Sequence, residues 1–385
     1  MTIGCGPSFE EIALADSLRM VGAAADGVVE WWASALRRRA TPQQLMLESF
    51  TWLAEVAGRR PPSWSTPHEI VSETPIARLR DFTADTTADV VPTLVLPPQA
   101  GHDSCIADYS PEQSQMQAII AAGLTRACSL DWIGATAATK DAGIDDYLQV
   151  IDDAVARLGG RVNLIGDCQG GWLATIYAAL RPQRVNTLTI GGAPIDFHAG
   201  DPGIIAAMNA FDPRADLSFY RALVASGDGL LDGRYLLAGF IAMQPHAEVS
   251  RQLSLLANIS DPAHVARYRE FEDWFKHTQP ISGAFYLWIV EHLFRDNKLI
   301  RGTLRIGEER VDLARISCPI NLLAGATDHI TPPEQVFALA DHASTAEPDI
   351  VRDTSPSGHL GLFMGHDALR NHWPRLLAAV LERSR

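Results

Sequence analysis

Cysteine is scarce in this chain. Its 385 residues hold five, at positions 5, 105, 128, 168 and 318, with no C-x-x-C pair. That spacing excludes a disulfide scaffold and a cysteine zinc cluster, and it points to a reducing, cytoplasmic compartment. Basic charge is short as well. Lys and Arg number 32 against 46 Asp and Glu, a formal charge of −14, which leaves no electrostatic footprint for nucleic acid or an anionic lipid surface. No stretch reaches the ~18 uninterrupted apolar residues of a membrane span. The opening MTIGCGPSFEEIALAD lacks the basic and apolar blocks of a secretory signal. There is no glycine-rich phosphate loop and no helical histidine pair at metal-ligand spacing, so neither a cofactor nor a metal is expected.

What is present reads as an α/β protein with additions. Residues 8–57 carry apolar positions at helical spacing. A second helix is expected from Thr41, with Pro42 in its first turn and Gly58 at its stop. The stripe on these helices is either an internal packing face or a docking surface for a partner or polymer, and the packing role is the default. RRPPSWSTP (59–67) is a linker. Beyond it, HEIVSETP and ARLRDFT read as strands with period-two character, and short apolar strands then alternate with helices: TLVLPP, ACSLDW, VNLIG and NTLTIGG, then PINLLAGATD and PDIVRDTSPSGH. Alternation of this kind predicts a mostly parallel sheet covered on both faces. It is interrupted over 196–305 by a helix-forming, aromatic-rich segment. The expected organisation is therefore an N-terminal extension and linker (1–67), an α/β core (68–195 and 306–385) and a helical cap (196–305). Phe271, Trp274, Phe285, Tyr286 and Trp288 in the cap could line a substrate path, but aromatics at this spacing are more often core.

The most informative local pattern is Gly166-Asp167-Cys168-Gln169-Gly170-Gly171, between the strand VNLI and the helix WLATIYAAL. It is the G-x-nucleophile-x-G elbow of the α/β-hydrolase fold, with Cys for Ser. The nucleophile of such an elbow sits on a strained turn, and glycines remove side chains that would collide there. The helix N-terminus beyond it favours a thiolate. A structural buried cysteine in a tight turn is the plain alternative. A thiol nucleophile needs a base and an orienting acid, which this fold supplies in the order nucleophile, acid, His. Asp328 follows the strand INLLAG and His359 follows DIVRD, where acid and base belong. His329, His366, His198 and His102 are rival bases, and Asp353 is the rival acid.

Oxyanion donors are expected from the Gln169 N–H and from the loop after TLVLPP. Pro97 and Pro98 have no N–H, so Gln99, Ala100 or Gly101 must donate there. A cysteine acyl-enzyme is a thioester, so exchange with a thioester donor such as acyl-CoA is nearly isoenergetic. Hydrolysis is open to the same intermediate, and exclusion of water decides between the two.

These motifs resemble the polyhydroxyalkanoate synthases, with features of the intracellular polyhydroxyalkanoate depolymerases, over roughly the last three quarters of the chain. LVLPP with DYSPEQS, LDW with IDDYL, VNLIGDCQGG, GGAPIDF, VDLARISCPINLLAGATDHITPP and SGHLG all resemble synthase segments, the Cys-Gln-Gly-Gly box most closely the two-subunit class. The resemblance implies Cys168 as acyl carrier, His359 as base and Asp328 as the orienting or hydroxyl-activating acid. Departures exist. Glu334-Gln335 replaces a Pro-Trp pair, the cap lacks a YWN-type stretch, and AGHDS and FMGHD resemble the depolymerase side. Three functions follow: an acyltransferase that extends a polyester from (R)-3-hydroxyacyl-CoA; a depolymerase or thiol esterase using the same triad; and a catalytically silent granule-binding relative. The implied partners are a hydroxyacyl-CoA or polyester substrate and a polymer-granule surface. A homodimer is the default assembly.

Overall fold

A computed structural model describes residues 9–86, 89–200 and 203–385. The opening MTIGCGPS, with Cys5 and the expected absence of a signal, lies outside the described residues. The chain divides into two compact units, one running up to Pro62 together with Arg234–His277, the other comprising Ser63–Gly233 and Thr278–Arg385. The segment expected as a cap is thus shared between them.

In the larger unit, eight strands form one sheet: β1 Glu69–Glu73, β2 Ala77–Asp81, β3 Thr93–Leu96, β4 Ala127–Trp132, β5 Val162–Asp167, β6 Val185–Gly191, β7 Ile320–Gly325 and β8 Ile350–Ser355. Their spatial order is β1-β2-β4-β3-β5-β6-β7-β8. Only β2 runs against the rest, pairing antiparallel with β1 and β4, while every pair from β4 to β8 is parallel. This is the α/β-hydrolase fold. The central strands β3 to β7 are buried along their whole length, as a sheet covered on both faces requires. Leu94, Val95, Leu164, Ile165, Leu188, Ile190, Leu322 and Leu323 are wholly removed from water, each worth about 1.5–3 kcal/mol of burial. The exposed edge strand β1 begins and ends on Glu69 and Glu73, charges that discourage edge-to-edge pairing.

In the smaller unit, α1 (Phe9–Arg38) and α2 (Pro42–Ala57) meet the expected boundaries. Thr41 caps α2 in a reciprocal capping box with Gln44, Pro42 opens its first turn, and Gly58 ends it. α1 lies so close to the helix Pro245–Ala257 that a Cβ on Gly27 would fall 2.4 Å from Cβ of Leu253. The Trp52 indole N–H donates to the Gln252 carbonyl at 2.9 Å. Glu272 is completely buried and is met by Arg251, Lys276 and Arg59 at 2.7, 2.7 and 3.4 Å. Leu18, Val21, Val29, Leu36 and Phe50 remain exposed on these two helices. Among the described residues no helix is long and apolar enough to cross a membrane.

Candidate active site

The strand-to-helix turn after β5 has the geometry its glycines imply. Cys168 takes φ 50° and ψ −114°, a left-handed conformation rare for a residue with a Cβ. It caps α5 (Gln169–Leu180), the helix that follows α3 (Gln115–Ala121) and α4 (Ile144–Arg157), and its N–H donates to the Gly191 carbonyl of β6 at 2.8 Å. A Cβ on Gly170 would stand 1.9 Å from the Leu96 carbonyl oxygen and 2.9 Å from that of Pro97. A Cβ on Gly166 would strike the Gly170 and Gly171 backbone at 2.5 Å. The glycines therefore permit one tight crossing, in which the start of α5 rides directly on the end of β3. Cys168 is partly exposed, whereas Cys105 and Cys128 are buried.

β7 and β8 deliver the other two groups. Asp328 follows β7, and its Oδ1 accepts the backbone N–H groups of Ile330 and Thr331 at 2.9 Å each. Its Oδ2 lies 2.7 Å from Nδ1 of His359. With Nδ1 committed, Nε2 is the nitrogen left to face Cys168, whose thiol acts electrostatically on the imidazole. Phe363 braces the ring edge-on at 5.5 Å. Gly192, at φ 53°, leaves room for the ring: a Cβ there would lie 3.3 Å from His359 Cε1. Burial opposes charge on His359, but Asp328 and Cys168 outweigh it and hold the imidazole well above its ordinary value. Burial likewise pushes Asp328 up, yet His359 and the two backbone N–H groups leave it below the usual carboxylate range.

The structure thus brings Cys168, His359 and Asp328 together and engages the rivals Asp353 and His198 elsewhere. Asp353 pairs with His372 at 3.1 Å and Arg375 at 2.9 Å. His198 bonds the Phe294 carbonyl at 2.6 Å. His366 is exposed, and His102 forms a bridge with Thr278. The loop after β3 is held by the Trp132 indole N–H, which donates to the Pro97 carbonyl at 2.8 Å. Gln279 N–H donates to the Gly101 carbonyl at 2.8 Å. Gln99 is buried, with neither its amide nitrogen nor its amide oxygen partnered among the described residues, while Ala100 is half-buried. Gln99 and Ala100 lie two and three positions beyond Pro97, the last residue shown against the elbow. Of the cap aromatics, Trp274 and Phe285 are core, Phe285 stacking on Tyr147 at 3.9 Å; Phe271, Tyr286 and Trp288 are half-buried.

Two residues escaped the sequence reading. Asp167 and Gln115 are both fully buried beside the elbow, and the Gln115 amide donates to Asp167 Oδ1 at 3.1 Å. A carboxyl ending the otherwise uncharged strand VNLIG was the available signal. Among the described residues one group of possible metal ligands converges, Glu291, His292 and Asp296. Arg295 and Lys298 already pair with its carboxylates.

Residues 74–380 match the family described as "Protein of unknown function (DUF3141)". The chain belongs to this family. The DUF3141 chain is also similar to the poly(3-hydroxyalkanoate) polymerase subunit PhaC of Haloferax mediterranei, 26% identical over 328 residues, covering 83% of this chain and 64% of that protein. The subunit of the same name from Allochromatium vinosum is 25% identical over 283 residues, covering 72% and 77%. The polymerase resemblance read from the sequence is thereby borne out, although the DUF3141 chain spans less than two thirds of the first of these relatives. Among solved structures, a hydrolase from Pseudomonas aeruginosa PA01 aligns with a TM-score of 0.47 at 19% identity, over 82% of this chain and 97% of that one.

Proposed function

We propose that the DUF3141 chain is a polyester-forming acyltransferase that carries (R)-3-hydroxyacyl groups as a thioester on Cys168. The observation that carries this reading is the thiol on its strained elbow, acting electrostatically on an imidazole whose Nδ1 is 2.7 Å from a buried carboxylate. His359 Nε2 takes the thiol proton, and the sulfur attacks the thioester carbonyl of an acyl-CoA. The tetrahedral oxyanion forms against the Gln169 N–H at the start of α5, with Gln99 or Ala100 as second donor. Collapse expels the CoA thiolate, which recovers the proton from His359. In the second half, His359 takes the proton of an incoming hydroxyl and that oxygen attacks the Cys168 thioester carbonyl; the C–S bond breaks, the Cys168 thiolate leaves and recovers the proton from His359, and the ester chain is longer by one unit. Asp328 fixes the tautomer and orientation of His359 throughout.

The polymerase names of the relatives and the Cys-Gln-Gly-Gly box support transfer over hydrolysis. The test is incubation with 3-hydroxybutyryl-CoA, following free CoA, polymer and the intact-protein mass, with the adduct located by peptide mapping. An acyl adduct on Cys168, CoA release and polymer, all lost in Cys168→Ala, are expected. Release of soluble acid from amorphous polyester granules without polymer formation would establish the depolymerase instead. Granule binding with neither activity would leave only a coat protein.

A further inference from the structure

Asp167 stands immediately before the elbow cysteine and is sealed from water. Its position is set from two directions. β5 carries it up to the turn, and α3 (Gln115–Ala121) presents Gln115 as its first residue. The start of α3 is pinned by Ser114, whose hydroxyl accepts the Gln117 N–H at 2.9 Å and donates to the buried Asp108 at 2.6 Å. Gln115 Nε2 donates to Asp167 Oδ1, which leaves Asp167 Oδ2 and Gln115 Oε1 as buried acceptors without a donor among the described residues. Two orphaned buried acceptors, one on each member of a hydrogen-bonded pair, are costly if the carboxyl is ionised. A proton on Oδ2 would make that atom a donor, and the amide oxygen is the unfilled acceptor of the same pair.

We propose that Asp167 is a positioning residue held as the neutral acid, closing a two-hydrogen-bond ring with Gln115 that keeps a second negative charge away from the Cys168–His359 pair. Its effect on catalysis rests on the acyl-transfer reading above; the ring itself does not. The groups facing Asp167 agree with neutrality. Gln115 comes from α3. From β6, Gly191 brings no side chain, a Cβ there lying 3.6 Å from Oδ1. His359, from the segment after β8, is the one charged group acting on it, and that imidazole already serves Asp328 and Cys168. Burial pushes the Asp167 carboxyl up from 3.8 to about 7, against the smaller pull of Gln115 and His359. Ionised, Asp167 would repel both the Cys168 thiolate and the oxyanion formed beside it, and would hold the proton on His359. Loss of this proton therefore brakes the site as pH rises.

The experiment needs no substrate. Infrared difference spectra of the full chain at about pH 6 should show a carboxylic-acid C=O band that shifts in heavy water and is missing from Asp167→Asn. Iodoacetamide alkylation of Cys168, followed by peptide mapping, is the second readout. Asparagine preserves both hydrogen bonds and cannot ionise. The ratio of its alkylation rate to that of the native chain should therefore rise several-fold between about pH 6 and about pH 8. Asp167→Ala should slow alkylation at both. Absence of the band, a pH-independent ratio, or equal damage from Asn and Ala would each overturn the proposal. Band and ratio as expected with no acyl adduct from hydroxybutyryl-CoA would sink the acyl-transfer reading alone.

Discussion

Oδ2 of Asp328 lies 2.7 Å from Nδ1 of His359, while Oδ1 of the same carboxylate takes two backbone N–H groups. The acid is thereby held by its own turn before it touches the imidazole, and the imidazole is aimed by a fixed partner. Replacing Asp328 with Asn keeps the shape and removes the charge that favours one tautomer. Acylation of Cys168 should fall by about 1,000-fold, with substrate affinity little changed, as single-turnover kinetics would read.

Cys168 holds a backbone conformation that costs a Cβ-bearing residue about 1 kcal/mol. Cys168→Gly should raise stability toward urea by that amount while abolishing the acyl adduct. Cys168→Ser should leave stability within about 0.5 kcal/mol of the native chain. A glycine variant no more stable than the serine one would mean that the strain is relieved elsewhere.

At Gly170 even one methyl has nowhere to go, since it would stand 1.9 Å from the Leu96 carbonyl oxygen. Gly170→Ala must push the loop after β3 away from the elbow. We expect a loss of about 2–3 kcal/mol and a drop in acylation larger than the unfolded fraction explains, measured on the folded population.

The pH dependence of stability follows from Asp167. Its folded carboxyl titrates near 7 instead of 3.8, so between those values the native state binds more protons than the unfolded one. Stability then falls as pH rises through this window, by at most about 4 kcal/mol. His359 works in the same sense at higher pH: its contribution is complete below the ordinary histidine value and disappears as pH climbs through its raised one. Asp328 works oppositely, losing its contribution as pH drops through its lowered value. Denaturant titrations from about pH 4 to about pH 8 should show a shallower fall in Asp167→Asn.

Glu272 in the helical unit is buried against Arg251, Lys276 and Arg59. Truncating it strands three partly covered cations. Glu272→Ala should cost about 2–3 kcal/mol, and Glu272→Gln less, with the change confined to protection of Arg234–His277 and the N-terminal helices in hydrogen exchange.

The sheet was legible because six of its strands are short apolar blocks and the first two, EIVSE and ARLRD, alternate with a period of two, and all eight fall where those segments lie. The elbow was legible because only Gly satisfies a 1.9 Å approach and only a few residue types can sit at its apex. Asp328 and His359 were legible from their places at strand ends. The partition of 196–305 between two compact units was not, because helical periodicity says which face is apolar and nothing about what covers it. The Asp167–Gln115 contact was equally hidden. Fifty-two positions separate the two residues, and an amide at the start of a short helix carries no mark of the carboxyl it will meet.

The contortion at position 168 belongs to the main chain and not to the atom at the tip of the side chain. To the scaffold, oxygen and sulfur are interchangeable there, and a single nucleotide change exchanges one for the other. A serine at this bend would therefore meet the same main-chain constraint as the cysteine, and exchanging the two would change the reactivity of the tip and not the turn that carries it.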